Sequence, residues 1–329
     1  VWTLEPAGLD LRRTLDSGQA FRWRWEDGHG CGPIATGIVG RHRFRVAQDR
    51  DGIRLLAPAT AEARDAIARY LGLRPRSDAQ LGRLVGAPTI TGRRAPAVLC
   101  DGMRPGPLPA SPTGLARIEA TLAADRVLAR VIPHTRGTGL LIQDPWEVLI
   151  SFIVSQNNNI PKISRSIDAL ARALGDRVDE NGYAFPSAER LAGAPAGILR
   201  ACHLGYRAPY VRAAARLAAS GRLDLAALRR MPEQEARDTL HAVPGIGDKV
   251  ADCILLFGLG HTTTFPVDVW VRRAMERLYF KGRPRPICDI RVFARARFGP
   301  FAGYAQQHLF AYAREHLRPR GPHISARPQ

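Results

Sequence analysis

The segment Val243-Pro-Gly-Ile-Gly247 constrains this chain more than any other. It lies between a helical pattern ending near His241 and another beginning near Asp248. Two glycines, Gly245 and Gly247, permit a tight turn and remove the side chains that would block a close approach. The free N–H groups of the following helix then face outward, and a phosphate fits such a site. An ordinary turn between packed helices could also read Pro-Gly-Ile-Gly. The continuation Asp248-Lys-Val-Ala-Asp252 favours a functional hairpin, a sequence-independent grip on a nucleic-acid backbone.

Lys249 stands out chemically. The chain carries 48 basic residues, and lysine occurs only at 162, 249 and 281. Where charge alone matters, this chain writes arginine. Arginine stays protonated, whereas lysine can lose its proton and attack carbon. The helix macrodipole and burial both favour the free amine, and Asp248 and Asp252 oppose them. Cys253 follows at i+4 on the same helix face, and by type alone it reads as a small apolar residue. Asp268, in Phe265-Pro-Val-Asp-Val-Trp270, sits where a strand-like stub meets a helical pattern. It reads as an N-cap and also as the carboxylate that a glycosidic chemistry needs.

The rest of the chain sets the context. Its 329 residues allow two domains, and a formal charge of +18 favours a polyanionic partner. Five cysteines, at 31, 100, 202, 253 and 288, are too scattered for a disulfide framework, a zinc ribbon or an iron–sulfur cluster. No apolar run reaches membrane-spanning length, so the chain reads as a soluble protein of a reducing cytoplasm, and a monomer is expected. Phe21–Trp25, Gly37–Val46 and Gly52–Leu56 read as strands, and Ala61–Leu71 reads as a helix. The proline-rich stretch 101–112 reads as a linker. Beyond it the pattern is helical, with Asp144-Pro145 opening an apolar helix to Val154. Further helices are expected near 161–174, 187–192, 195–201, 207–220, 232–241, 248–259, 268–278, 289–297 and 301–316. The expected division is an antiparallel β domain over 1–105, a helical domain over 113–317, and a basic disordered tail over 318–329.

Taken with Ser17-Gly-Gln-Ala-Phe-Arg-Trp23, Gln143-Asp-Pro-Trp-Glu147, Ser155-Gln-Asn-Asn-Asn-Ile160, Leu204-Gly-Tyr-Arg207 and Ala302-Gly-Tyr-Ala-Gln306 with Phe310, these residues resemble the HhH-GPD superfamily of base-excision glycosylases. Within it the pattern is similar to the 8-oxoguanine glycosylase/AP lyases. The motifs span about residues 15 to 312. The resemblance implies an α+β fold, with a TATA-binding-protein-like antiparallel domain before the helical HhH-GPD domain. It implies that Lys249 attacks C1′ of the damaged nucleoside and that Asp268 stabilises the positive charge on the sugar. Cys253 and Phe310 would sandwich a flipped base, Gln306 would bond its Watson–Crick edge, and the Gly18 carbonyl would accept the N7–H that guanine lacks. Asn157 would fill the hole in the stack, Tyr206 would wedge beside the orphaned base, and Arg207 would bond the estranged cytosine. Gly245 and Gly247 would meet the backbone.

The chain departs from the eukaryotic pattern at two positions. Lys162 stands in place of a second cytosine-reading arginine and lacks its bidentate fork. Trp270 stands in place of a histidine near the lesion phosphate, so that contact is not carried over. The resemblance implies no organic cofactor and no catalytic metal. The carbonyls of His241, Val243 and Ile246 are a candidate cradle for a monovalent cation. The expected partner is duplex DNA with 8-oxoguanine opposite cytosine. Two other readings compete: a related glycosylase for alkylated bases, which Lys249 disfavours, and a non-enzymatic DNA-binding module, which gives Lys249 and Asp268 no role.

Overall fold

The computed structural model describes residues 2–5, 8–28, 32–73 and 114–318. Cys31, Cys100, the expected linker, both expected boundaries near 105 and 113, and the tail beyond Arg318 lie outside them.

Strands β1 (Trp2–Leu4), β2 (Trp23–Glu26), β3 (Ile34–Val39), β4 (His42–Gln48) and β5 (Ile53–Ala57) form one antiparallel sheet in the order β1-β5-β4-β3-β2. The expected single strand over Gly37–Val46 is in fact a hairpin, broken at Gly40 with φ +59. An αL glycine reverses the chain there, and the alternation of Phe44 and Val46 resumes on the return strand. Two short elements escaped the sequence reading, β1 and helix α1 (Leu11–Leu15), capped by Asp10. Helix α2 (Ala61–Tyr70), capped by Thr60, packs on the sheet through Ala63 and Ile67.

The helical part has two cores. One gathers α5 (Pro145–Val154), α6 (Ile160–Leu174), α9 (Ala208–Ala219), α11 (Glu233–His241) and α12 (Asp248–Cys253). The other gathers α3 (Gly114–Leu122), α4 (Leu128–Thr135), α13 (Val269–Leu278), α14 (Ile287–Phe298) and α15 (Ala302–His316). Three shorter helices, α7 (Ala188–Gly193), α8 (Ala196–Ala201) and α10 (Leu225–Leu228), add Leu191, Leu199 and Leu228 to the first core. Asp144 caps α5 by accepting from the Glu147 N–H at 2.9 Å, with Pro145 at the first position as expected. A small hairpin, β6 (Arg177–Asp179) and β7 (Gly182–Tyr183), was missed because Asp and Arg carry no strand signal. The expected helix 248–259 continues past Cys253 as a π-helical turn over Ile254–Gly258.

Buried side chains fasten the sheet to the helices. Gln19, 1% exposed, donates to the carbonyls of Thr14 (3.2 Å) and Gly139 (2.9 Å) and to Ser17 Oγ (2.7 Å). Its Oε1 accepts from the Leu141 N–H at 2.8 Å, and its carbonyl accepts from Gln143 Nε2 at 2.8 Å. Arg22 donates to the Tyr183 carbonyl and lies 3.5 Å from Glu147. Phe21 meets Phe152 edge to face at 5.6 Å. Exposed pairs such as Arg24–Asp168 (2.5 Å) and Arg41–Asp176 (3.0 Å) ring this seam.

Replacing Gln19 with alanine removes these side-chain bonds and leaves buried carbonyl and N–H groups unpaired. The expected loss is about 4 kcal/mol of unfolding free energy in urea titration, at roughly 1 kcal/mol for each of the four side-chain bonds. Arg24→Ala, which opens an exposed pair, is expected to cost about 1 kcal/mol or less. Equal losses would contradict the assignment of the seam to Gln19.

Candidate active site

The site lies where the three cores meet. The first helical core contributes Lys249 and Cys253, the second contributes Asp268, Gln306 and Phe310, and the segment beside the sheet contributes Gly18.

The hairpin is built as its sequence requires. Gly245 has φ +85, and a Cβ there would stand 2.7 Å from Cδ2 of the Tyr210 ring. The Ile246 N–H donates to the Val243 carbonyl at 3.1 Å and closes the turn. Gly247 is exposed, has ordinary extended geometry, and faces open space. One glycine is therefore required by the fold, and the other leaves room in front of the hairpin. Among the described residues no group of three or more His, Cys, Asp and Glu could hold a metal.

Lys249 is half-buried in the first turn of α12. Its Nζ donates to Ser155 Oγ at 3.5 Å and stands 5.4 Å from the Phe152 ring centroid. Neither partner was assigned a role from sequence. They lie more than ninety residues away in the chain, so no local pattern could show the contact. Asp268 caps α13 and accepts from the N–H groups of Trp270 (3.0 Å) and Val271 (2.8 Å), as its position suggested. Burial raises the Asp268 carboxyl above the ordinary carboxylate range, against these N–H groups and the nearby charges of Lys249 and Arg314. Burial pushes the Cys253 thiol up to about 12, with Lys249 pulling it down. Cys253 is thus a neutral apolar wall at working pH, close enough to sense both Lys249 and Asp268.

The two acids that opposed a reactive lysine are engaged elsewhere. Asp252, 1% exposed, pairs with Arg237 and lies 3.4 Å from Arg291. Asp248 pairs with Arg291 at 2.5 Å and with His241 at 3.3 Å. Their negative charge is offset by these cations.

Of the residues expected to bind the base, Gly18 and Phe310 come together. Gly18 has φ +76, and a Cβ on it would lie 3.3 Å from Phe310 Cζ and 3.7 Å from Ile160 Cδ1. Its backbone thus lies against the Phe310 ring, with Arg314 5.5 Å above that ring. Gln306 is buried on α15, one residue before Gln307, which donates to it at 2.8 Å.

The residues expected to meet the duplex form a second cluster. Asn157 adopts φ +47, and its Nδ2 donates to the exposed Tyr206 hydroxyl at 3.0 Å. Arg207, 8% exposed, donates to the carbonyls of Gln156 (2.7 Å, from Nε) and Asn157 (3.1 Å). In this state its guanidinium holds the Asn157 loop rather than reaching outward. Asn159 caps α6 and accepts from the Lys162 N–H at 3.1 Å, leaving the Lys162 side chain exposed. Trp270 stacks under Arg273 at 5.0 Å.

A helix–hairpin–helix with a lysine at the following helix's start and a capping aspartate across the cleft defines a DNA glycosylase of the lyase type. Comparison with known proteins agrees. Residues 150–287 match the model of the HhH-GPD superfamily base excision DNA repair proteins. The chain is 36% identical over 217 residues to a "Probable N-glycosylase/DNA lyase" of Methanothermobacter thermautotrophicus, covering 59% of this chain and 69% of that one. It is 27% identical to the N-glycosylase/DNA lyase of Saccharomyces cerevisiae, over 92% of this chain and 83% of that one. Its fold matches the Clostridium acetobutylicum 8-oxoguanine glycosylase/lyase, solved with double-stranded DNA holding cytosine opposite 8-oxoguanine. That match has a TM-score of 0.77 at 28% identity and covers 94% and 93% of the two chains. The chain belongs to the HhH-GPD superfamily, in its N-glycosylase/DNA lyase branch.

The two hairpin glycines are expected to separate on substitution. Gly245→Ala strains the αL turn and collides with Tyr210, lowering both stability and duplex affinity, the latter about tenfold for each ~1.4 kcal/mol lost. Gly247→Ala, with space around it, is expected to keep the melting temperature and lose affinity only. Calorimetry beside fluorescence anisotropy reads both quantities, and unchanged affinity in Gly247→Ala would remove the hairpin from the DNA interface.

Proposed function

We propose that Lys249 and Asp268 perform a glycosylase and strand-cleavage reaction on 8-oxoguanine flipped out of duplex DNA. The protein is a bifunctional 8-oxoguanine DNA glycosylase and AP lyase of the base-excision repair pathway. The observation that carries the mechanism is that the charges of Lys249 and Arg314 both act on the Asp268 carboxyl, while Arg314 lies over the Phe310 ring against which the Gly18 backbone packs.

The Lys249 amine attacks C1′ as the C1′–N9 bond breaks, and the base leaves with the bonding pair. Asp268 stabilises the positive charge that develops on the sugar. Loss of the Nζ proton and opening of the sugar ring give a Schiff base, and removal of a C2′ proton expels the 3′ phosphate. Hydrolysis then frees the lysine. The neutral Cys253 thiol and the Phe310 ring flank the base, Gln306 meets its Watson–Crick edge, and the Gly18 carbonyl accepts from N7–H. Guanine presents a lone pair at N7 and is repelled there. The partner is duplex DNA with cytosine opposite the lesion. Asn157, Tyr206 and Arg207 occupy the vacated stack, and Lys162 and the Gly245–Gly247 hairpin hold phosphate. A monovalent cation on the carbonyls of His241, Val243 and Ile246 belongs to the same proposal. The protein acts as a monomer in the cytoplasm, and no helix among the described residues is long and apolar enough to cross a membrane.

Incubation with a duplex carrying 8-oxoguanine opposite cytosine, followed by borohydride, is expected to trap a covalent complex. An undamaged duplex and Lys249→Gln should trap nothing. Trapping by Lys249→Gln, or none by the wild type with binding intact, would refute the nucleophile.

The single-turnover rate should fall on the acid side as Asp268 protonates. Because burial raises this carboxyl, the midpoint is expected above the ordinary aspartate value of about 3.9. Above that midpoint the carboxylate is ionised and active, and below it the neutral acid cannot stabilise the sugar cation. Asp268→Asn should flatten this acid limb at a much lower rate. An acid limb surviving in Asp268→Asn would assign it to another group.

A further inference from the structure

Arg314 follows Phe310 at i+4 on α15, so the two side chains share a helix face. Its guanidinium carbon lies 5.5 Å from the Phe310 ring centroid, and its Nη1 donates to the Asp16 carbonyl at 3.2 Å. Asp16 stands two residues before Gly18. The Asp16 carboxylate is engaged with Trp25 Nε1 at 2.9 Å and with Arg12 at 3.7 Å, and Arg314 bonds the backbone. Beside it, Glu315 pairs with Arg13 of α1 at 3.6 Å. The last turns of α15 thus hold the loop that carries Gly18. Among the described residues Arg314 forms no salt bridge, so no carboxylate in contact neutralises it.

Its charge reaches the Asp268 carboxyl. Burial raises that carboxyl, and the Val271 N–H, Lys249, the Trp270 N–H and Arg314 oppose the rise. Other charged neighbours are spent or silent. On α13 itself Arg272 pairs with Glu276 at 2.8 Å, and Arg273 donates to the Leu317 carbonyl at 3.2 Å. The Cys253 thiol on α12, pushed up to about 12 by burial, is neutral. Lys249 on α12 and Arg314 on α15 are the cations acting on Asp268. Lys249 must lose a proton to attack C1′, and it then loses the charge it lends to Asp268. Burial favours a neutral carboxyl at the very step in which the sugar needs a negative one. Arginine does not deprotonate in proteins, so the Arg314 charge remains.

We infer that Arg314 is a positioning residue of this site, which fixes the Gly18 loop against Phe310 and supplies Asp268 with a positive charge that persists while Lys249 is neutral. This rests on the proposed roles of Lys249, Asp268 and Gly18. Arg314 acts through them and meets neither base nor sugar.

The experiment measures single-turnover excision of 8-oxoguanine opposite cytosine across the acid range, by wild type, Arg314→Gln, Arg314→Lys and Arg314→Leu, with a melting temperature for each. Arg314→Gln keeps a donor for the Asp16 carbonyl and loses the charge. Its half-saturating concentration should stay near that of wild type, while the midpoint of its acid limb moves to higher pH. Arg314→Lys keeps the charge, so its midpoint should lie at the wild-type position. Arg314→Leu loses both. Its midpoint should move as in Arg314→Gln, and half-saturating enzyme should rise about tenfold, the loss of one charge-assisted hydrogen bond. A structural role alone would slow all three variants by one factor at every pH and leave the midpoint in place. A direct phosphate contact would leave the midpoint unmoved and flatten the slope of log affinity against log salt by about 0.9 in Arg314→Gln. Either result would overturn the inference, as would a midpoint that moves as far in Arg314→Lys as in Arg314→Gln, or an unchanged half-saturation in Arg314→Leu. A wild type that excises no 8-oxoguanine, or an acid limb that survives in Asp268→Asn, would instead overturn the reading beneath it.

Discussion

The buried amide of Gln19 is the interaction on which the rest of the site depends. It joins the loop after α1 to the Gly139–Leu141 strap that leads into the helices. Gly18 is its immediate neighbour, so the bonds that fasten sheet to helices also set the height of the Gly18 backbone above Phe310. In the proposed mechanism, discrimination between guanine and its oxidised form at N7 rests on the placement of this one carbonyl. A carbonyl on a loose loop could retreat from a lone pair and would discriminate poorly. Placing the loop between three cores, with its neighbour's side-chain groups all bonded, removes that freedom.

The same logic governs the lysine. A nucleophilic amine needs the acids around it to be satisfied by something else. Asp248 and Asp252 are close to Lys249 in sequence, yet Arg237, Arg291 and His241 engage them. Asp268 carries no arginine salt bridge among the described pairs, feels the Lys249 charge, and is held by two backbone N–H groups. The arginine-rich composition thus does more than attract DNA. Part of it, on α11 and α14, balances the hairpin helix from behind.

Much of this was legible in the sequence because local rules govern it. The caps at Asp144 and Asp268, the αL turn at Gly245 and the apolar periodicity of α5 and α6 depend on neighbours within four residues. What escaped depends on distant partners. Ser155 and Phe152 meet Lys249 only because α5 packs against α12. The β6–β7 hairpin is short and charged, and its Tyr183 carbonyl is fixed by Arg22, 161 residues away. The break at Gly40 was visible as a glycine, but alternation on both sides of it read as one strand. The seven motifs carried the site as a set, since Gly18 alone reads as a turn and Cys253 alone as core.

Arg207 shows how the unbound state prepares for the bound one. Its guanidinium bonds the Gln156 and Asn157 carbonyls and stacks 4.5 Å from Tyr206. Those bonds hold Asn157 in a left-handed conformation, which costs an L-residue about 1–2 kcal/mol and which asparagine tolerates best. In the proposed reading the loop is already shaped to enter a stack, and its ordering cost is met before DNA arrives. The consequence for recognition is that Arg207 cannot offer all its donors to an estranged base without releasing some carbonyls. Cytosine, with acceptors on its freed edge, can compensate for that release, whereas a base presenting donors cannot. With Lys162 lacking a fork, the proposed reading leaves discrimination of the opposite base largely to this one exchange, with its sharpness set by how firmly the Gln156 and Asn157 carbonyls compete.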